Sequence, residues 1–439
     1  MKIGLIAVSG IRACDQELVD LGLTFPGFME RSRVIASLPS LGLLTLAALT
    51  PSQHEVVYRE VRELPPASEP LEPFDLVAIS TLTAQVNEAY SLADRYRANG
   101  TAVVMGGLHV TAMPAEAALH GDSVVVGEGE TSWPRLIEDF TKGHLKPRYC
   151  SASDYDLSDS PIPAFHLLAL DEYNRLPVQT SRGCPWRCEF CASSIMLTRA
   201  YKQKPVENVV SELDRILELW PRPFVEFADD NSLVDRRYWR RLLPELASRR
   251  IRWFAETDLS IAQDEDFLDL IRESGCTEVL IGLESPVEAG LQGLETKVDW
   301  KRRQLPRYRE AVREIQAHGI RVNTCFVIGL DGQGPEVFSR VVEFVHEVQP
   351  YDGQITVQTP FPGSGLYDRL KREGRLHEER PWDKCTLFDV TYEPTGMTAA
   401  ELRCGFRKLA ATIYSDDATR RRREAFKQNL RRLRRKGAA

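Results

Sequence analysis

Residues 181–193 read SRGCPWRCEFCAS, and the thiols of Cys184, Cys188 and Cys191 oblige this chain to form one tight, cysteine-lined loop. A short β-rich run, LPVQTS at 176–181, leads straight into it, and a helical segment, PVENVVSELDRILEL, follows. Five more such runs recur: FVEFAD (224–229), IRWFAET (251–257), EVLIGLES (278–285), RVNTCFVIGL (321–330) and GQITVQT (353–359). Helical patterns separate them, among them EDFLDLIRESG (265–275) and PRYREAVREIQAHG (306–319). Six strands alternating with helices predict a partial (β/α)6 barrel over 176–360 rather than another open sheet. In barrels the loops after the strands carry the chemistry. The cysteine loop is the first of them.

A separate alternation fills residues 1–145. KIGLIAV (2–8), EVVYREV (55–61), DLVAIS (75–80), AVVMGG (102–107) and SVVVGEG (123–129) are β-rich, with helical segments at 41–50 and 85–100. These strands lack strict apolar–polar alternation, which suits a parallel sheet covered on both faces. The fold class expected here is α/β, a doubly wound parallel sheet. Such sheets bind ligands beyond the carboxyl ends of their strands. That makes Ser80-Thr81-Leu82-Thr83 and Gly106-Gly107-Leu108-His109 the lip of any pocket. Residues 146–175, with Pro161-Ile162-Pro163 and several Ser and Asp, read as a linker, and 361–439 read as mainly helical.

At 439 residues, with 43 % apolar and 27 % charged content, the chain fits a multidomain globular protein. No leader pattern opens it. Its most apolar stretch, 33–51, is broken by Ser37, Pro39, Ser40 and Gly42, so no transmembrane segment is expected. Cys14, Cys150, Cys276, Cys325, Cys385 and Cys404 show no pairing pattern and read as small buried hydrophobes in a cytoplasmic protein. Residues 420–439 hold ten Lys or Arg against one acid, Glu424, although the whole chain is at −7. Phe426, Leu430 and Leu433 recur there at helical spacing, which predicts a packed helix with a solvated cationic face. Nucleic acid is therefore not an expected partner.

A structural zinc site takes four ligands, usually as two pairs, and no second CxxC accompanies the cysteine trio. A dithiol redox site would use Cys188 and Cys191 and leave Cys184 unexplained. A [4Fe–4S] cluster accounts for all three, since iron–sulfur cubes are held by thiolates. Three ligands leave one iron open, and an open iron is a coordination site for a substrate.

At this point RGCPWRCEFC resembles the signature of the radical S-adenosylmethionine (SAM) enzymes. The resemblance implies that SAM chelates the open iron and is reductively cleaved to methionine and a 5′-deoxyadenosyl radical. It also implies an external reductant such as flavodoxin or ferredoxin. By the same resemblance Phe190 lies near the adenine, and Asp229-Asp230-Asn231 face the SAM amino group. That triplet equally suits a turn and helix N-cap. Glu256, Asp258, Ser260 and Glu284 follow the third and fourth strands, where carboxylates suit ribose hydroxyls or simply make a polar rim. Gly329 ends the fifth strand, where the family meets adenine through backbone.

A doubly wound domain ahead of this signature, with GGLHVTAMPAEAA (106–118) and VVVGEGETSWPRLIEDF (124–140), is similar to the cobalamin-binding class of these enzymes. Ser80, Leu82, Gly106, Gly107 and His109 are the cobalamin-contacting positions this implies. TPFPGSGLYDRLKREGRL (359–376) and FDVTYEPTGMT (388–398) resemble the branch that includes hopanoid methylases. The histidine loop of many cobalamin domains is missing, because the region after the first strand reads SGIRACDQELVDLG. The implied activity is cobalamin-dependent methylation of an unactivated carbon in a small-molecule or lipid intermediate. The alternative is a non-methylating rearrangement, cyclisation, dehydration or oxidation. A tRNA methylthiotransferase would need a second cysteine trio, whereas only Cys14 and Cys150 precede the barrel.

Overall fold

The computed structural model describes residues 1–439 except 11–12, 21–37, 152–153, 193–200, 296–297 and 437–439. Parts of the SGIRACDQELVDLG and 33–51 segments thus lie outside the described residues.

The first sheet joins β1 (Lys2–Val8), β2 (Glu55–Val61), β3 (Leu76–Thr81), β4 (Ala102–Gly106), β5 (Ser123–Val126) and β6 (Arg148–Cys150). All pairs are parallel, in the order β2-β1-β3-β4-β5-β6. The order reverses beside β1, which creates the switch point where such sheets take ligands. Alternate residues serve opposite faces. Ile3, Leu5, Leu76 and Ala78 pack with the helices Leu41–Leu49 and Gly129–Thr141. Ile6, Val77, Ile79 and Met105 pack with the helix Val86–Ala98. Burial on both faces explains why the strands read as unbroken apolar runs. The edge strand β6 falls beyond residue 145, inside the stretch the sequence gives to a linker. Three residues, Arg-Tyr-Cys, are too short for any periodic signal.

The second sheet is built from β7 (Leu176–Val178), β10 (Phe224–Ser232), β11 (Arg252–Thr257), β12 (Cys276–Glu284), β13 (Arg321–Ile328) and β14 (Asp352–Val357). Its order is sequential and parallel from β7 to β14, an unclosed barrel. A small antiparallel ribbon, β8 (Ser181–Arg182) with β9 (Lys202–Gln203), flanks the cysteine loop. Phe227 meets the rings of Trp239 and Trp253 edge-on at 5.1 and 5.4 Å, fastening the helix Arg236–Arg249 to the barrel wall.

The C-terminal region is helical at Gly365–Arg372, Ala399–Ile413 and Asp416–Lys436. In the last helix Phe426 is buried against Tyr351, and Leu430 and Leu433 close over Gly319. Of the six cysteines outside the trio, Cys276 and Cys385 are buried as expected. Cys14, Cys150 and Cys404 are exposed instead, and Cys325 is half-buried. Isolated cysteines carry no pattern that tells the two placements apart. Among the described residues no helix is long and apolar enough to cross a membrane.

Candidate active site

The cysteine loop is fixed by the end of β10, where the pairing to β11 shifts between Phe227 and Ser232. That bulge turns three consecutive polar side chains toward the loop. Asp229 is buried and accepts from the Thr180 and Ser181 N–H groups at 2.7 and 2.9 Å and from the Thr180 hydroxyl at 2.5 Å. Asp230 Oδ2 accepts from Gly183 N–H at 2.7 Å. Asn231 Nδ2 donates to Asp258 Oδ2 at 3.0 Å and reaches Cys184 Sγ at 3.6 Å. The helix that follows is capped by Asp235 instead.

Cys184, Cys188 and Cys191 line one cavity of about 470 Å³. Among the described residues no three His, Cys, Asp or Glu side chains converge as a single metal ion requires. A cube presents a separate iron to each thiolate, and three cysteines around one cavity can supply three of its four ligands. Burial pushes the Cys184 thiol up to about 11 and raises Cys188 as well. Loading the site must therefore release protons.

Around the same cavity, Asp258 holds Trp186, which donates from Nε1 at 2.7 Å and stacks on Trp300 at 4.7 Å. Glu284 has φ +62°, a left-handed backbone at the bulged end of β12, and pairs with Lys301 at 2.5 Å. Burial works against the Lys301 charge, but Glu284 outweighs it and keeps the ammonium protonated. Glu256, near the end of β11, lines the cavity, where its side chain is open to solvent although protein surrounds it closely. Burial, then repulsion from Glu226, Asp230 and Glu284, pushes its carboxyl up to about 7. Asn231 Oδ1, also buried on this wall, lacks a partner among the described residues. These groups, with Phe190, fit a polar ligand such as SAM.

A second cavity of about 300 Å³ opens beyond the carboxyl ends of β3 and β4, lined by Ser80, Gly106 and Gly107. Gly107 has φ +101°, and a Cβ there would sit 3.0 Å from Ser80 Oγ and 3.2 Å from the Thr81 carbonyl oxygen. Leu82, Thr83 and Leu108, from the same two loops, face the first cavity. Leu82 is 44 % exposed, an apolar side chain presented to open space. A ligand with a flat head and a long tail fits this arrangement, as cobalamin does. None of the eight histidines lines either cavity, so the chain offers cobalt no imidazole there.

The two domains meet at Arg182, two residues before Cys184. It donates to Glu128 at 2.5 Å, Glu130 at 2.8 Å and Gln179 at 2.9 Å. Lys202 adds a second cation to Glu128 at 2.6 Å. Burial works against the Glu128 carboxylate, but Lys202, the Tyr155 N–H and Arg182 outweigh it and hold its carboxyl below the usual range.

Four residues expected at the site line neither cavity. Asp229 is spent on the loop backbone, as above. Ser260 donates its N–H to Asp258 and gives its carbonyl to Arg236. Gly329 has its N–H on Gln333 and its carbonyl on the Tyr392 hydroxyl, leaving no backbone group for a ligand. His109 is fully buried between Thr83, Glu116 and the Trp382 ring, and burial lowers its pKa against the pull of Glu116. Conversely, sequence reasoning missed Trp186, Lys301, Arg182 and Glu128. Trp186 stood inside the cysteine motif, whereas Lys301, in WKRRQ, looks like a surface cation.

Comparison with known proteins matches this architecture. A model of the radical SAM superfamily matches residues 178–345, and one of the B12 binding domain matches 33–137. A domain family of unknown function matches 364–439. An uncharacterized methyltransferase of Synechocystis sp. is 31 % identical over 404 residues, 85 % of this chain and 74 % of that protein. The chain belongs to the cobalamin-binding radical SAM enzymes. The hopanoid C-2 methylase of Rhodopseudomonas palustris is 29 % identical over 353 residues, covering 78 % of this chain and 66 % of the methylase. The radical SAM methyltransferase TsrM of Kitasatospora setae, solved with cobalamin and a [4Fe–4S] cluster, shares the fold. Its TM-score is 0.63 at 16 % identity, covering 84 % of this chain and 75 % of TsrM. The cofactors of this cobalamin-binding radical SAM enzyme are a [4Fe–4S] cluster, SAM and cobalamin.

Proposed function

We propose that this enzyme methylates an unactivated carbon of a small-molecule or lipid intermediate. One observation carries the reading: a single cavity has the three cluster cysteines on one wall and Leu82 and Leu108 of the cobalamin-domain loops on another. When bound, the cluster and SAM supply a 5′-deoxyadenosyl radical and cobalamin supplies the methyl group. The protein's own work is positioning and exclusion of water. Asp230 and Asn231 brace the cluster loop, and Trp186, locked by Asp258 and Trp300, stiffens its middle. Ser80, Gly106 and Gly107 leave room for the cobalamin tail.

Thr359, Phe361, Thr386 and Leu387 close the rest of the cavity. Lys301 is the one cation among the described lining residues, and it is already paired with Glu284. A substrate that is neutral around its reacting carbon suits such a wall, because a buried phosphate or carboxylate would lack a counter-charge. Similarity to methyltransferases, including a hopanoid methylase, supports methyl transfer as the outcome. The enzyme takes its electron from an external reductant such as flavodoxin or ferredoxin, and an oxygen-sensitive open cluster suits the reducing cytoplasm.

The test is anaerobic reconstitution with iron, sulfide, cobalamin, SAM and a low-potential reductant, followed by mass spectrometry. Both S-adenosylhomocysteine and 5′-deoxyadenosine are expected. Deoxyadenosine without homocysteine product would replace methylation by a radical rearrangement, cyclisation, dehydration or oxidation.

A further inference from the structure

Outside the cofactor cavities, the cluster loop is also held by the C-terminal region, which matches a domain family of unknown function. Glu189 lies between Cys188 and Cys191. Its carboxylate takes a two-pronged pair of hydrogen bonds from Arg369, Nε to Oε1 at 2.8 Å and Nη2 to Oε2 at 2.9 Å. The backbone is engaged as well, since Leu366 N–H donates to the Glu189 carbonyl at 3.1 Å. Gly365 permits this approach, because a Cβ there would lie 3.2 Å from Glu189 Cγ.

The same guanidinium reaches Asp331, in the turn after β13, through Nη1 at 2.6 Å. Arg375 holds the other oxygen of Asp331 at 2.7 Å. One arginine thus ties the stretch carrying the second and third cluster ligands to the rim of the opposite barrel strand. A planar guanidinium with three engaged nitrogens fixes angle as well as distance, which an ammonium cannot do.

We propose that Arg369 is a positioning residue for the cluster. The C-terminal region buttresses the loop and holds Cys188 and Cys191 at the spacing a cube with one open iron requires. The inference rests on the cluster assignment, which the wild-type spectrum tests separately.

The experiment compares reconstituted wild-type, Arg369→Gln, Arg369→Lys, Glu189→Gln and the Arg369→Gln/Glu189→Gln double variant. Two quantities are read: the rate of iron loss to a chelator, and the change in the reduced-cluster EPR spectrum on adding SAM. Arg369→Gln is expected to lose iron roughly tenfold faster and to show a weakened SAM response, as loss of a charge-assisted fork implies. Arg369→Lys should not restore the wild-type spectrum, and the double variant should be no worse than either single. Glu189→Gln, an isosteric change on the loop itself, carries the test if Arg369→Gln does not fold. Wild-type iron retention and SAM response in the single variants, or additive losses in the double, would overturn the proposal. A wild-type protein that never shows a SAM-responsive four-iron signal would instead overturn the cluster assignment.

Discussion

Replacing Arg182 by Gln removes the cation that joins the cobalamin domain to the first cluster ligand. The Arg182 side chain is 14 % exposed, and those of Glu128 and Glu130 are 3 % and 9 %. In the wild type two carboxylates face two cations, Arg182 and Lys202. The variant encloses one uncompensated negative charge. Breaking a buried pair by deleting one partner costs about 3–5 kcal/mol. The new amide can still donate to one carboxylate and to Gln179, recovering about 1 kcal/mol. The expected local loss is therefore about 2–4 kcal/mol, or a ~30- to 1000-fold rise in opening. Native-state hydrogen exchange on peptides covering 123–130 and 181–184 reads it directly. Because Glu128 is held below its ordinary value of about 4.5, the wild-type contact is complete above that pH. It fades only as pH falls through the depressed value. In the variant the penalty should shrink on acidification, as the enclosed negative charge takes up a proton. Unchanged protection in both segments at neutral pH would refute the reasoning, and so would a uniform loss across the chain.

Gly107→Ala places a Cβ against Ser80 and the Thr81 backbone in a conformation that only glycine adopts readily, a strain of about 1–3 kcal/mol. Cobalamin affinity, followed by absorbance titration, should fall about tenfold or more while iron content is unchanged. Glu256→Gln should flatten the pH dependence of SAM affinity. The wild-type carboxyl ionises near 7 and favours a sulfonium cation only above that pH, so affinity should climb relative to the variant between about pH 6 and 8. Parallel profiles in equilibrium dialysis would remove Glu256 from the SAM site.

Several site features were legible because they are local. The cysteine spacing needs one loop, and each strand announces itself as an apolar run of a few residues. Ser80, Gly106 and Gly107 were found because strand ends in a parallel sheet face a crevice whatever their neighbours are. Two of the failures share a cause. Asp229 and His109 sit near a strand or helix end beside residues that do line a cavity, Asp230 and Leu108, and one position separates the two fates, whereas Gly329 is withdrawn by its bonds to Gln333 and Tyr392. For Asp229 the β10 bulge decided it; for His109, the inward face of the short helix Leu108–Ala112.

The sequence by itself determined two α/β units in order, a three-thiolate loop after the first barrel strand, and the lack of a histidine motif in the segment after the first strand. Its local patterns suffice because secondary structure and loop chemistry depend on neighbours a few residues away. Only the tertiary structure decided that Glu128 and Glu130 brace Arg182, that Lys301 neutralises Glu284, and that Arg369 grips Glu189 from 180 residues away. Those contacts depend on how separate elements dock. The enclosed charges among them are held in place by their partners rather than by any preference of the local chain.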